Sequence, residues 1–311
     1  MLAAPPESSC SRGRPRRQTR SRRNGVAEAR VSAHHGRAED EGGTESCGSV
    51  SILVTWLGHS TVVLDVDGTR LLTDPLLRRH AGLLRRRGEP PARGHWQNVD
   101  SVLLSHLHHD HADLPSLVML PKGTPVVTAP PNIPWLRRHR LAGVSPAPDQ
   151  WLGVASSPTV AVRLCPAVHR ARPMPHRPNG VTGHIVRSAA GAIWFAGDTS
   201  LYADMRSIPE WAGAPVELAL VPIGGWGPRL SEGHMGPIEA AEACALVGAR
   251  NAVPVHWGTL HTPGGRNLPR GWMDRPASAF ASALSQRAPG CRVLRLEIGG
   301  WRRVPDDGLA I

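Results

Sequence analysis

The chain has 311 residues, 41% of them apolar, and a formal net charge of +11, which sets a prior of one large or two small domains with a sizeable core. The positive charge attracts anions in general, yet no RNP, helix-turn-helix or zinc-finger pattern accompanies it, so a specific nucleic-acid partner is not expected. Five scattered cysteines (Cys10, Cys47, Cys165, Cys244, Cys291) form no C-x-x-C pair and no disulfide framework; the start lacks an apolar signal core, and no apolar run of about 18 residues spans a membrane, so a cytoplasmic protein is expected.

Residues 1–48 are rich in Arg, Ser, Gly, Pro and Glu and nearly free of large apolar side chains. Such a segment buries too little surface to offset its chain entropy. It is expected to be disordered, or else to be an over-long start, with the true one nearer Val50; a hydrolase domain then occupies residues 49–311. Residues 51–56, 61–66 and 70–73 read as consecutive short strands, the second and third joined through Asp67-Gly68, a hairpin turn signal. Residues 76–98 are Arg- and Gly-rich and are expected to form an exposed loop. Further strands are predicted over 101–105, 125–128, 160–165, 181–187, 192–196, 218–222 and 251–255, with a closing strand over 291–298. Residues 237–247, apolar at Ala240, Ala241, Cys244 and Val247, predict a helix, as do 276–287. Two groups of strands, each followed by helices, predict paired sheets covered by helices.

The densest chemical signal is Ser105-His106-Leu107-His108-His109-Asp110-His111, directly after an apolar strand. Imidazole nitrogen and carboxylate oxygen are the donors that zinc takes at about 2.0–2.2 Å. His106 and His108 lie two apart, so an extended stretch points both the same way. Asp110 and His111 follow in a turn and are free to face a second ion.

His106-x-His108-x-Asp110-His111 resembles the H-x-H-x-D-H signature of the metallo-β-lactamase superfamily. The remaining motifs of that family occur in order: Asp74 in Leu72-Thr73-Asp74-Pro75, His169, Asp198 in Phe195-Ala196-Gly197-Asp198-Thr199, and His256 in Pro254-Val255-His256-Trp257-Gly258-Thr259. The resemblance implies an α/β (α+β) fold, the four-layer αββα sandwich. It also implies two divalent metal ions, zinc by expectation, with Mn or Fe as alternatives for the same donors. By that likeness His106, His108 and His169 hold the first ion and Asp110, His111 and His256 the second. Asp198 bridges them, and Asp74 supports the ligands from behind. A water shared by the ions becomes a hydroxide nucleophile near neutral pH, with Asp110 both ligating and orienting it.

Trp56-Leu57-Gly58-His59-Ser60-Thr61, Val221-Pro222-Ile223-Gly224 and His234-Met235-Gly236-Pro237 are similar to one branch of that superfamily. It contains the N-acyl-phosphatidylethanolamine-hydrolysing phospholipase D and, more distantly, ascorbate-6-phosphate lactonase. The branch implies a small-molecule or lipid substrate carrying phosphate, and hydrolysis of a phosphodiester. Alternatives are a lactonase or ester hydrolase acting on a phosphorylated sugar, a non-catalytic metal-binding regulator, and a nuclease. His234 precedes a helix N-terminus, which favours an anion; it is expected to contact substrate phosphate or to protonate the leaving group. His59 is expected to support the ligands rather than to be one. Arg229 is a candidate phosphate partner, and the Arg-rich stretch 78–93 is a candidate for peripheral contact with an anionic membrane. His109 and His184 receive no role.

Overall fold

The alternation in residues 51–56 becomes the strand Ile52–Gly58 in a computed structural model of the chain, which describes residues 51–169 and 177–304. The expectation for residues 1–48 lies outside the described residues. Ile52, Val54 and Trp56 are buried while Leu53 and Thr55 stay half-exposed, as a period of two requires. The strand pairs antiparallel with Thr61–Val66, which turns into Thr69–Thr73. Asp67 and Gly68 both take positive φ there, 46° and 74°, the backbone of the tight hairpin turn that an Asp-Gly pair favours. The sheet continues in parallel through Ser101–Leu103, Pro125–Val127 and Ala142–Val144, and Trp301–Val304 closes its other edge. A second seven-stranded sheet runs in the order Arg292–Val293, Asn251–Val255, Val216–Pro222, Gly191–Phe195, Gly183–Ser188, Ala161–Cys165, Leu152–Gly153.

The two sheets meet across a shared core that includes Ile52, Val54, Leu64, Phe195 and Leu220. Behind the second sheet, Trp194 and Ala219 pack with Ala240 and Cys244 of the helix Pro237–Leu246 and Phe280 of the helix Arg275–Arg287. Behind the first, Val102 and Leu104 pack with Leu117, Trp135 and Leu136 of the helices Leu114–Met119 and Ile133–Arg138. Helix, sheet, sheet, helix is the expected αββα sandwich. Each large apolar side chain buried in these layers stabilises the fold by about 1.5–3 kcal/mol.

Two expectations are corrected. Residues 76–98 are not an exposed loop: they contain a hairpin, His80–Ala81 with Leu84–Arg86, and a short helix, Arg93–Trp96, and they bury Leu76, Leu77, Ala81, Arg86 and Trp96. Ala81, between the arginines, faces inward while Leu83 is exposed, a pattern too short to show a period. Residues 291–298 contribute only Arg292–Val293 as strand; Leu294 and Leu296 still fill the core, and the strand that closes the fold, Trp301–Val304, lies on the other sheet beside Ile52–Gly58. Cys165, Cys244 and Cys291 are buried free thiols. Among the described residues no helix is long and apolar enough to cross a membrane.

His184 joins the sheets. From Gly183–Ser188 its Nε2–H donates to the Val127 carbonyl of the first sheet at 3.1 Å, and its ring stacks on Phe195. Burial pushes its pKa down to about 4, so it is neutral in the fold at pH 7. The unfolded chain, with a pKa of about 6.5, takes up a proton that the fold refuses, so stability falls as pH drops from 6.5 to 4 and levels off below. The slope is about 1.4 kcal/mol per pH unit and the total about 3 kcal/mol. His184→Phe is expected to remove this part of the acid sensitivity, since the Val127 carbonyl keeps its bond from Leu104 N. Urea unfolding of both proteins at pH 7 and 4.5 checks it; equal pH sensitivity in parent and variant would refute the assignment.

Candidate metal centre

The site lies where loops leave the ends of the strands. His106, His108, Asp110 and His111 follow Ser101–Leu103, His169 follows Ala161–Cys165, Asp198 follows Gly191–Phe195, and His256 follows Asn251–Val255. Three site residues hold left-handed backbone without being glycine: His59 (φ 55°), Asp74 (φ 31°) and His256 (φ 61°). Strain of this kind costs about 1–3 kcal/mol per residue and concentrates at functional sites. Gly197 (φ 63°) has no room for a side chain: a Cβ there would lie 2.8 Å from Ser105 Cβ. The glycine therefore lets the Asp198 loop press against the His106 loop.

Donor atoms converge in two sets. In the first, His106 Nε2 lies 2.9 Å and His169 Nε2 3.3 Å from His108 Nδ1. In the second, His111 Nε2 and His256 Nε2 are 3.1 Å apart, and each is 3.6 Å from Asp110 Oδ2. Asp198 Oδ2 stands between the sets, 3.1 Å from His111, 3.3 Å from His256 and 3.9 Å from His106. Donors of one ion bound at about 2.0–2.2 Å must lie about 3–4 Å from each other, the spacing found here.

The outer ring nitrogens fix the tautomers. His106 Nδ1 donates to Ser105 Oγ, whose own hydroxyl donates to Asp74 Oδ2 at 2.6 Å. His111 Nδ1 donates to Asp74 Oδ2 at 2.6 Å, His169 Nδ1 to the Gly233 carbonyl and His256 Nδ1 to the Gly224 carbonyl, both at 2.8 Å. Four rings thus turn Nε2 inward, the orientation that ligand histidines take. His59 differs: Nε2 donates to Asp110 Oδ2 at 3.0 Å, and its buried Nδ1 has no partner. That pattern suits a neutral donor steadying a carboxylate. Its pKa falls to about 3, first through burial and then through His256.

Charge also calls for a cation. Asp74, Asp110 and Asp198 are all buried around His111. Burial alone would raise the two aspartates Asp110 and Asp198; the charge of His111 and hydrogen bonds from neighbouring histidines outweigh it and hold both well below the usual carboxylate range. Burial lowers His106 far below normal and brings His108 to about 4, so these rings are lone-pair donors at neutral pH. Asp198 Oδ1 is buried with no hydrogen-bond partner. An unpartnered carboxylate oxygen among inward-facing imidazole nitrogens fits a divalent ion.

His234 turns to the centre, not to the helix behind it. Its Nε2 lies 3.2 Å from Asp198 Oδ2 and its Nδ1 meets Ser231. At the start of that helix Glu239 Oε2 accepts from Gly236 N. Burial lowers the His234 pKa, but the hydrogen bond and charge of Asp198 more than reverse this, and the net shift is upward. Arg229 is exposed and does not line the cavity at the centre, while His109 does. Sequence reasoning missed Ser105, the Gly224 and Gly233 carbonyls, and Arg86. Ser105 was visible as the residue before His106; backbone acceptors carry no signature at all.

A mixed sandwich with a cluster of histidines and aspartates at its strand ends defines a class, the metallo-hydrolase-like αββα folds. The family described as Beta-lactamase superfamily domain matches residues 69–257, more than half of the chain, and the chain belongs to that family. It is 28% identical over 235 residues to N-acyl-phosphatidylethanolamine-hydrolyzing phospholipase D 1 of Caenorhabditis elegans, covering 67% of this chain and 64% of that protein; it thus spans less than two thirds of that relative's length. It is 28% identical over 264 residues to a metal-dependent hydrolase of Nitratidesulfovibrio vulgaris strain DP4, covering 79% of this chain and 92% of the relative. Among solved structures, Igni18, a metallo hydrolase of the archaeon Ignicoccus hospitalis, superposes with a TM-score of 0.63 at 22% identity, over 81% of this chain and 98% of that one. That likeness concerns the fold, which is a hydrolase fold.

Proposed function

We propose that this protein is a metal-dependent hydrolase that holds two divalent ions, zinc in the first instance, and cleaves a phosphodiester. The observation that carries the reading is the pair of inward-facing donor sets, with the outer nitrogens of His106, His111, His169 and His256 already bonded. His106, His108 and His169 would hold one ion and Asp110, His111 and His256 the other, with Asp198 between them. Asp74 sets the tautomer of His111 and, through Ser105, that of His106. Two bound ions supply a nucleophilic water at neutral pH and polarise the bond under attack. The chain supplies the rest: His59 Nε2–H orients Asp110, and His234, half-buried and with its pKa raised by Asp198, faces the cavity in position to give a proton to a leaving oxygen. The phosphodiester part of the proposal is supported by likeness to the nematode phospholipase. We further assign residues 49–311 as the hydrolase domain.

The full chain is expected to bind two zinc ions by elemental analysis and to hydrolyse bis-p-nitrophenyl phosphate. Asp110→Asn is expected to lower that rate by about 10²- to 10³-fold, roughly 3–4 kcal/mol of transition-state stabilisation. Two ions without phosphodiester cleavage would move the substrate to another ester. Folded protein that binds no metal would end the hydrolase reading.

A further inference from the structure

A cavity of about 610 Å³ opens onto the centre, within the size range of small-molecule sites. Its lining combines a polar part, with His108, Asp110, Asp198 and His234, and an apolar wall from the hairpin His80–Ala81 with Leu84–Arg86 and from Trp226. Leu83, in the hairpin turn, is 87% exposed, and Trp226 is 46% exposed. A single exposed leucine needs no explanation. Here, however, Leu83, Leu84 and Trp226 line the same cavity as His108, Asp110 and Asp198.

This wall is held in place. The strand Leu84–Arg86 pairs with Leu260–His261. Arg86 is buried and donates to the Leu57 and Leu76 carbonyls at 2.8 and 2.5 Å, which pins the base of the hairpin beneath the site. Trp226 and His234 share the stretch between the strand Val216–Pro222 and the helix Pro237–Leu246. The apolar wall therefore keeps a set position relative to the donors, and whatever reacts there must lie along it.

We propose that Leu83, Leu84 and Trp226 bind an uncharged alkyl or aryl chain that the substrate carries next to its scissile bond, and that they select for it over short hydrophilic esters. The proposal rests on the hydrolytic reading above and names the substrate class of that same site. Burial of a methylene contributes about 0.8 kcal/mol, close to fourfold in binding. In a cavity open on one side, about two- to fourfold per methylene is expected.

The test uses the zinc-loaded full chain and p-nitrophenyl methyl, butyl and octyl phosphates, each below the concentration at which it forms micelles. Binding of methyl- and octylphosphonate is measured beside it by calorimetry. The proposal expects kcat/KM to climb with chain length, and the slope to fall by at least half in Leu83→Ser and in Trp226→Ala. Val118→Ser, which alters an exposed apolar residue on the helix Leu114–Met119 outside the cavity, is expected to keep the parent slope. Diester hydrolysis with no chain-length dependence overturns this inference and leaves the phosphodiester reading standing. Absence of diester hydrolysis, with octylphosphonate still bound far more tightly than methylphosphonate and the preference lost in Leu83→Ser, supports the inference and overturns the phosphodiester reading.

Discussion

Asparagine in place of Asp198 is expected to lower kcat/KM by about 10³-fold or more and to reduce the bound metal to one ion per chain or none. Asp198 is the carboxylate that reaches both donor sets: its Oδ2 lies 3.1 Å from His111 and 3.3 Å from His256 in one, and 3.9 Å from His106 in the other. Asparagine keeps the volume and removes the charge. Its amide also turns either an N–H or a neutral oxygen toward inward-facing imidazole nitrogens. The loss of a bridging carboxylate is worth several kcal/mol of charge stabilisation, and about 4 kcal/mol corresponds to about 10³ in rate. His234 is affected too, since its upward pKa shift depends on the hydrogen bond and charge of Asp198. Elemental analysis and initial rates on the same preparation check the prediction, with circular dichroism to establish folding. A folded variant with parental metal content and a rate within tenfold of the parent would show that Asp198 does not bridge.

The donors were legible because each chemical demand had a compact expression. A carboxylate and four imidazoles within His106–His111 had no packing rationale, and Asp198 and His256 each followed a short apolar strand whose end could be read. The sandwich was legible for a similar reason: Ile52, Val54 and Trp56 alternate as a half-buried strand must, and Asp67-Gly68 allows one tight turn. What escaped were features without local periodicity. The hairpin His80–Ala81 with Leu84–Arg86 has strands of two and three residues, too short to show alternation, and arginines dominate it. Its burial is decided by residues far away in sequence, such as Leu57 and Leu260. His234 illustrates a different limit. The sequence placed it before a helix, but it could not reveal that Glu239 Oε2 would accept from Gly236 N or that the imidazole would lie beside Asp198.

Arg86 makes the same point energetically, and Arg86→Met is expected to destabilise the fold by about 4 kcal/mol and lower Tm by about 10 °C. The side chain is 6% exposed. Burial brings its pKa down to about 10, so it stays charged at neutral pH. It donates to three carbonyls: Leu57 at 2.8 Å, Leu76 at 2.5 Å and Arg78 at 3.2 Å. Methionine fills much of the space and removes the buried charge, which returns roughly 2 kcal/mol of desolvation. Two buried carbonyls and one partly buried one then lose a donor at about 1–3 kcal/mol each, roughly 6 kcal/mol together. The difference is about 4 kcal/mol, and a domain of this size loses about 2–4 °C per kcal/mol. The damage does not stay in the hairpin. Leu57 lies two residues before His59, and the neighbouring Arg87 N donates to the Thr259 carbonyl, while His59 N is held by Thr259 Oγ1. Loosening Arg86 therefore frees the loop that aims His59 at Asp110, and metal affinity is expected to fall by about 10- to 100-fold, the effect seen when a ligand's supporting partner is removed. Arg86→Lys, which retains the charge with fewer directed donors, should fall between parent and Arg86→Met in both Tm and metal affinity. If Arg86→Met melted within 2 °C of the parent, roughly the 1 kcal/mol level, the guanidinium would not be what holds the hairpin beneath the site.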